Sequence, residues 1–138
     1  MPSPWAYRAG NVGKTNSGGV MKGAYLLFLH VKHDVRVRVG ASKVLNLRKG
    51  YYVYVGSALN SLEDRLARHF RRRKNRRWHV DYLTSSCNVS VEFAVIIPSG
   101  RRLECVLSRR LSRCASPVPG FGNSDCKVCP SHLYRVPT

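Results

Sequence analysis

Tyrosine, arginine and histidine side chains occur at spacings that could bring them to one site. Tyr54 lies near the end of an aromatic and β-branched run, directly before a break at Gly56-Ser57. Arg65 and His69 follow four residues apart, so on a helix both project from one face. Guanidinium groups form bidentate hydrogen bonds with phosphate oxygens, and imidazole and phenol groups can donate or accept protons. The set is therefore suited to chemistry on a phosphate backbone.

The segment that carries this arginine and histidine has the pattern of a helix. Asn60 followed three residues later by Glu63 matches a capping box. Leu62, Leu66 and Phe70 recur at four-residue spacing and predict an apolar stripe that faces the core. Arg65 and His69 are thus predicted to lie beside the buried face of this helix.

The rest of the chain predicts an α+β domain in which helices flank a small mixed or antiparallel sheet. The first 22 residues are rich in Gly, Ser, Pro and Asn and predict a disordered tail, so the domain is expected over residues 23–138. A second helix is predicted over Arg101–Cys114, with a core face of Leu103, Val106, Leu107, Leu111 and Cys114. Apolar or alternating runs predict strands at 23–31, 35–39, 50–55 and 91–97, with room for a short strand within 41–49 and an amphipathic segment at 78–83.

The charge of the chain is concentrated in one region. Net charge is +17, from 24 Lys and Arg against 7 Asp and Glu, and eight of the basic residues fall within Arg65–Arg77. This run predicts a nucleic-acid partner rather than a membrane surface, because no lipid anchor or long apolar run accompanies it. The predicted phosphate contacts are Arg68, Arg71, Arg72, Arg73, Lys74, Arg76 and Arg77.

The cysteines favour a reducing compartment. Their number, five, is odd, and residues 1–22 lack the apolar core of a secretory signal, so we expect a cytoplasmic protein whose thiols are free or bind metal. Cys126, Cys129 and His132 have the spacing of a structural zinc site, although zinc needs four ligands. The fourth ligand could come from Cys87, Cys105 or Cys114. Alternatively, the cluster binds no zinc, and it consists of a hydrogen-bonded Cys126 thiol and of His132 as a residue of the active site.

The order of these motifs resembles the GIY-YIG nuclease superfamily. Gly23-Ala24-Tyr25 opens the first strand, Tyr54-Val55-Gly56 leads into the helix with Arg65 and His69, and Glu104 lies in the first turn of the next helix. The strings YYVYVGSA, RLARH, WHVDYL, LEC, SDC and SHLY are similar to its Uri-type endonuclease branch, over roughly Lys22–Tyr134. One departure is that an arginine-bearing strand and a loop separate the two tyrosine motifs, where the superfamily has about a hairpin.

The resemblance implies roles for the polar residues. Tyr25 and Tyr54 would point their phenols at the scissile phosphate, and one would orient or deprotonate the attacking water. A phenol with a pKa of about 10 is a poor base at neutral pH, so we expect neighbouring arginines and a metal to favour its phenolate. Arg65 would balance charge in the transition state.

The remaining roles concern metal and water. Glu104 would hold a divalent cation, Mg²⁺ or Mn²⁺, since a lone carboxylate with waters is how Mg²⁺ usually binds. His69 and His79 would assist in activating water or contacting phosphate.

These observations together predict a metal-dependent endonuclease that hydrolyses nucleic-acid phosphodiester bonds, with DNA favoured over RNA. The alternatives are a non-catalytic basic DNA- or RNA-binding module and a zinc-stabilised ribosomal-type protein. A pure binder needs the arginines but has no use for two glycine-flanked tyrosines and a helix-borne glutamate, and this favours the enzyme.

Overall fold

A computed structural model of the chain describes residues 6–7, 22–39, 43–58, 62–71, 79–100, 103–118, 121 and 131–137, with backbone alone at 6, 7 and 79. In chain order its elements are β1 (Ala6–Tyr7), β2 (Gly23–Val31), β3 (Val35–Val39), β4 (Lys43–Leu47), β5 (Gly50–Ala58), α1 (Leu62–Phe70), α2 (His79–Thr84), β6 (Val89–Pro98), α3 (Glu104–Leu111), β7 (Ser116–Pro117) and β8 (Leu133–Arg135). This arrangement confirms the predicted α+β class.

The main sheet has the strand order β1-β6-β2-β5-β8-β7, and all of its described pairs are antiparallel. β2 lies at its centre, paired with β5 on one side and β6 on the other. A strand with two neighbours has its backbone hydrogen bonds satisfied on both edges. The side chains of β2 are buried on one face and half-buried on the other, which agrees with its nearly continuous apolar sequence.

The inserted segment between the two tyrosine motifs forms its own hairpin. β3 pairs with β4 from Val35↔Leu47 to Val39↔Lys43 and makes a separate two-stranded sheet. Arg36 and Arg38 point to solvent from β3, as the alternating pattern predicted. Because the hairpin satisfies its own hydrogen bonds, β2 and β5 pair over their whole length despite the insertion.

One face of the central strands is covered by α1 and α2. The side chains of Tyr25, Leu27 and Leu29 alternate onto this face and join a buried cluster that includes Leu62 and Leu66 of α1. Both leucines are fully buried and Phe70 packs against the cluster, which confirms the predicted stripe. Val80 and Leu83 of α2 close the same core.

The second predicted helix is shorter than expected and buries a different face. It runs over Glu104–Leu111, and Ser108 is its buried residue, whereas Val106 is 48 % exposed and Cys114 is exposed. The Ser108 hydroxyl lies 2.6 Å from the buried Tyr134 hydroxyl on β8. The predicted core face is therefore wrong for Val106 and Cys114, whereas Leu103, Leu107 and Leu111 are half-buried. The small hydroxyl residue Ser108 lets α3 approach a polar partner on the sheet.

Part of the predicted tail also belongs to the sheet. Ala6 and Tyr7 pair with Val95 and Ala94 of β6. Residues 1–5, 8–21 and Asn60 of the capping box lie outside the described residues. The predicted disorder is therefore wrong for Ala6 and Tyr7, and it stays a prediction for residues 1–5 and 8–21, as does the cap.

Candidate active site

The two motif tyrosines lie on neighbouring strands. In the β2–β5 register, Tyr25 is opposite Gly56 and Leu27 is opposite Tyr54, so both phenols project from the same face. Their ring centroids are 6.4 Å apart. Both side chains are buried, and they lie under α1, the helix that carries Arg65 and His69.

Gly56 provides the space that the first phenol occupies. A Cβ on Gly56 would overlap the hydroxyl end of the Tyr25 ring, while the Gly56 backbone itself is extended strand. The glycine of the second motif is thus needed for a steric reason, because the Tyr25 ring lies directly over it.

The Tyr25 hydroxyl forms a hydrogen bond with the imidazole of His69. The distance from Tyr25 Oη to His69 Nε2 is 2.6 Å, and the histidine is only 1 % exposed. Tyr54 contacts the same imidazole edge-on, with ring centroids 6.2 Å apart. Three aromatic side chains from β2, β5 and α1 therefore form one buried group, which agrees with the placement expected for Tyr25, Tyr54 and His69.

Both phenols are held in the neutral form. Burial raises the pKa of Tyr25 well above its ordinary value, and the neighbouring Tyr54 adds to the shift. Burial, followed by the negative charge of Glu104, likewise raises the pKa of Tyr54. Arg65 lowers both pKa values, as expected from sequence, but burial outweighs it. The expectation that neighbouring arginines favour the phenolate is therefore wrong, whereas the effect of a metal stays a prediction. Neutral phenols can donate or relay a proton.

Ser57 joins the predicted transition-state arginine to the predicted metal ligand. The Arg65 guanidinium donates from Nη1 to the Ser57 carbonyl oxygen. The Ser57 hydroxyl donates to Oε2 of Glu104 at 3.0 Å. The charges of both residues also act on the pKa values of the two tyrosines, so Tyr25, Tyr54, Arg65 and Glu104 lie near one end of β5.

The two halves of this site approach β5 from different sides. Tyr54 and Gly56 alternate with Val55 and Ser57, so the tyrosine–histidine group and the Ser57 side chain project from opposite faces of the strand. The described pairing of β5 with β8 ends at Tyr54. Past this point α1 and α3 can both reach Ser57 around the edge of β5.

His132 completes the Glu104 side of the site. Its Nδ1 lies 3.3 Å from Oε1 of Glu104, and the side chain is 3 % exposed. Its backbone is fixed at both ends, because the amide donates to Phe121 and the carbonyl accepts from Val55 of β5. Sequence spacing had suggested a zinc role for His132, but its proposed partners Cys126 and Cys129 lie outside the described residues.

Of the other cysteines, Cys105 is disulfide-bonded, whereas Cys87 and Cys114 are exposed free thiols. The expectation that all thiols are free or metal-bound is thus wrong for Cys105, which cannot serve as a fourth zinc ligand. Within the described ranges, no group of three or more His, Cys, Asp and Glu side chains could hold a metal ion.

Arg68 has a structural partner in place of the expected phosphate contact. Its Nη1 lies 2.7 Å from Oδ1 of Asp81, which is fully buried at the start of α2. A buried carboxylate needs its cation, so this pair ties α1 to α2. Arg71 is exposed, as a phosphate contact should be, while Arg72, Arg73, Lys74, Arg76 and Arg77 lie outside the described residues.

Sequence reasoning missed Ser57 and gave His132 another role. A serine inside a strand carries no distinctive signal, and its two contacts come from residues 8 and 47 positions away. His79 is the first residue of α2, but its side chain lies outside the described part of the chain. Its predicted role therefore remains a prediction.

Comparison with known proteins gives a family. Residues 24–138 match the family model described as Domain of unknown function DUF123. The chain belongs to this family. The match begins one residue into β2 and covers Tyr25, Tyr54, Arg65, His69 and Glu104. No curated protein and no solved structure matches the chain. The DUF123 family description names no activity.

The donor set at Glu104 fits a divalent cation. The carboxylate is 24 % exposed, and it lies between a hydroxyl and an imidazole nitrogen. Hard cations such as Mg²⁺ take one or two carboxylates and keep several waters, which such a partly open carboxylate allows.

No helix in the described part of the chain is long and apolar enough to cross a membrane.

Proposed function

We propose that this DUF123 chain is a metal-dependent endonuclease of the GIY-YIG type, similar to the Uri branch, that hydrolyses phosphodiester bonds in DNA. The observation that carries the proposal is the buried contact between the Tyr25 hydroxyl and His69 Nε2 at 2.6 Å. Any buried tyrosine hydroxyl needs a hydrogen-bond partner, but an imidazole is a partner that can also accept its proton, as a relay requires.

The relay starts at the attacking water. Because the Tyr25 phenol stays neutral, its oxygen accepts a proton from water as its own proton passes to His69 Nε2. The hydroxide then attacks phosphorus, and the phosphodiester bond to the leaving oxygen breaks. This step requires a neutral His69 with its proton on Nδ1, so that Nε2 can accept.

Arg65 and Glu104 act on the charge that develops at the phosphate. Arg65 is fixed by the Ser57 carbonyl, so a guanidinium at this position is preorganised for the phosphate oxygens. Glu104 would hold Mg²⁺ or Mn²⁺, with Ser57 and His132 beside it. The cation, when bound, neutralises negative charge on the leaving oxygen.

The basic surface is proposed to bind the nucleic-acid substrate. A net charge of +17 favours a polyanion, and phosphate contacts hold a backbone without reading its sequence. We propose a cytoplasmic location, because an odd number of cysteines favours a reducing compartment. The Cys105 disulfide weighs against that placement, because disulfides are rare in reducing compartments.

Nicking of supercoiled plasmid tests the proposal directly. We expect nicks that require Mg²⁺ or Mn²⁺ and that are abolished by EDTA and by Glu104→Gln. Glu104→Gln should bind DNA at least as tightly as the wild type, because a negative charge near phosphate is removed. Cleavage by this variant at the wild-type rate would exclude Glu104 from the chemistry.

A non-catalytic nucleic-acid-binding module is the second candidate, favoured by the concentration of charge near α1. It predicts salt-dependent binding to DNA or RNA with no cleavage under any metal. A panel of end-labelled single-stranded, duplex, branched and RNA substrates separates the two functions and defines the substrate class.

A further inference from the structure

The imidazole of His132 is the least explained buried polar group next to the site. The side chain is 3 % exposed, and neither ring nitrogen has a hydrogen-bond partner among the described residues. Buried polar groups nearly always have partners, so an imidazole in this state points to a ligand that the side chain would bind.

The position of the neighbouring carboxylate indicates which ligand. Glu104 Oε1 lies 3.3 Å from His132 Nδ1, yet the two atoms do not have hydrogen-bond geometry. The carboxylate oxygen is therefore off the axis along which this nitrogen presents its lone pair or its proton. Two atoms bound side by side to an octahedral cation at about 2.1 Å are about 3 Å apart and have this off-axis relation.

The backbone around His132 is rigid enough to hold such a site. Its carbonyl accepts from Val55, and its amide donates to Phe121. Glu104 is fixed from the other side by the Ser57 hydroxyl at 3.0 Å. The imidazole and the carboxylate are thus positioned by different elements before any cation binds, as preorganised ligands are.

We propose that His132 Nδ1 is a second protein ligand, beside Glu104 Oε1, for the divalent cation of this site, and that the site prefers Mn²⁺ to Mg²⁺. The preference follows from the donor atoms: imidazole nitrogen suits transition metals, whereas Mg²⁺ prefers an all-oxygen shell. The inference rests on the metal role proposed for Glu104 but does not depend on cleavage.

Pulsed electron paramagnetic resonance of bound Mn²⁺ tests the nitrogen ligand in the unmodified protein. We expect ¹⁴N modulation in the echo envelope, replaced by ¹⁵N signals when only histidine is ¹⁵N-labelled. His132→Asn should remove the modulation, whereas His33→Asn, at an exposed turn histidine, should retain it. Bound Mn²⁺ with no nitrogen coupling in the wild type would overturn the proposal and leave His132 as a residue that positions Glu104.

Metal affinity gives a second measurement. Calorimetric titration should show Mn²⁺ binding at least about tenfold tighter than Mg²⁺, and His132→Asn should reduce Mn²⁺ affinity by about tenfold or more with little effect on Mg²⁺. Equal losses for both metals would contradict a nitrogen ligand. Should His132→Asn fail to fold, the isotope experiment on the wild type still decides.

The outcomes separate this inference from the proposed nuclease. Nitrogen-coupled Mn²⁺ without cleavage of any nucleic acid would support the metal site and refute the enzyme. Metal-dependent cleavage with no nitrogen coupling would support the enzyme and refute the ligand role of His132.

Discussion

The Tyr25 hydroxyl lies 2.6 Å from Nε2 of His69, although 44 residues separate the two in the chain. Both side chains are almost completely buried. The contact requires β2, β5 and α1 to pack in one arrangement, because the Tyr25 ring crosses Gly56 of β5 before it meets α1.

A double-mutant cycle tests whether this pair works as one unit. Tyr25→Phe and His69→Asn should each lower kcat by about 100- to 10,000-fold, since each interrupts the same proton path. The double variant should be little slower than either single variant. Single-turnover cleavage of a labelled duplex measures the rates, and binding anisotropy checks that affinity is retained. Multiplicative losses would show that the two side chains act independently.

Gly56→Ala should displace the Tyr25 ring. The added Cβ overlaps the phenol, so we expect a loss of about 1–3 kcal/mol in the free energy of unfolding together with loss of cleavage. Gly100→Ala is the matched control, because a Cβ there meets nothing within 4 Å and should change stability by less than about 0.5 kcal/mol. Urea unfolding followed by circular dichroism measures both. Equal stabilities for the two variants would contradict the close contact of Tyr25 with Gly56.

Stability should fall at alkaline pH because of the buried phenols. The pKa values of Tyr25 and Tyr54 are raised by folding, so both states hold these protons below about pH 10 and the stabilisation is complete there. Above about pH 10 the unfolded chain releases the protons and the folded chain does not, so the free energy of unfolding decreases as pH rises. Tyr25→Phe should make this decrease shallower between pH 9.5 and 11 (roughly the range in which a free phenol ionises). An unchanged slope would contradict the burial of this hydroxyl.

Arg65→Ala should reduce turnover far more than binding. Loss of one preorganised contact to a developing charge costs about 100- to 1000-fold in rate, whereas many other arginines remain to hold the backbone. Arg71→Ala is the matched control, since it removes the same charge from an exposed position next to α1. Parallel kcat and Kd measurements on the two variants decide. If both lose cleavage only in proportion to binding, α1 is a docking surface.

Arg68 is not a suitable control for that experiment. Its removal would leave the Asp81 carboxylate buried without its cation, at a cost of about 3–5 kcal/mol in stability. Any loss of cleavage in Arg68→Ala would then report unfolding and not the chemistry of α1.

Local patterns in the sequence predicted the elements that carry the tyrosines and the first helix. The stripe of Leu62, Leu66 and Phe70 was predictable because helical periodicity directly encodes a buried face. The β2 strand was predictable for the related reason that a central strand, buried on one face and half-buried on the other, has a mostly apolar sequence.

Contacts between distant elements could not be predicted. Glu104 could be identified as a polar residue at a helix start, but its contact with Ser57 depends on how α3 meets β5. The face that α3 buries was misassigned in part, because Ser108 is stabilised by a hydroxyl partner on β8, a strand of three residues that is too short to show a period. The direction of the tyrosine pKa shifts likewise depended on burial, which only the packing of α1 reveals.

The fixed position of His132 has a consequence for synthesis on the ribosome. Tyr25, Tyr54, Arg65, His69 and Glu104 have all been translated before His132 is added, yet its carbonyl and imidazole support β5 and Glu104. During translation the candidate site therefore lacks the contacts of His132 with Val55 and Glu104 until His132 has left the exit tunnel.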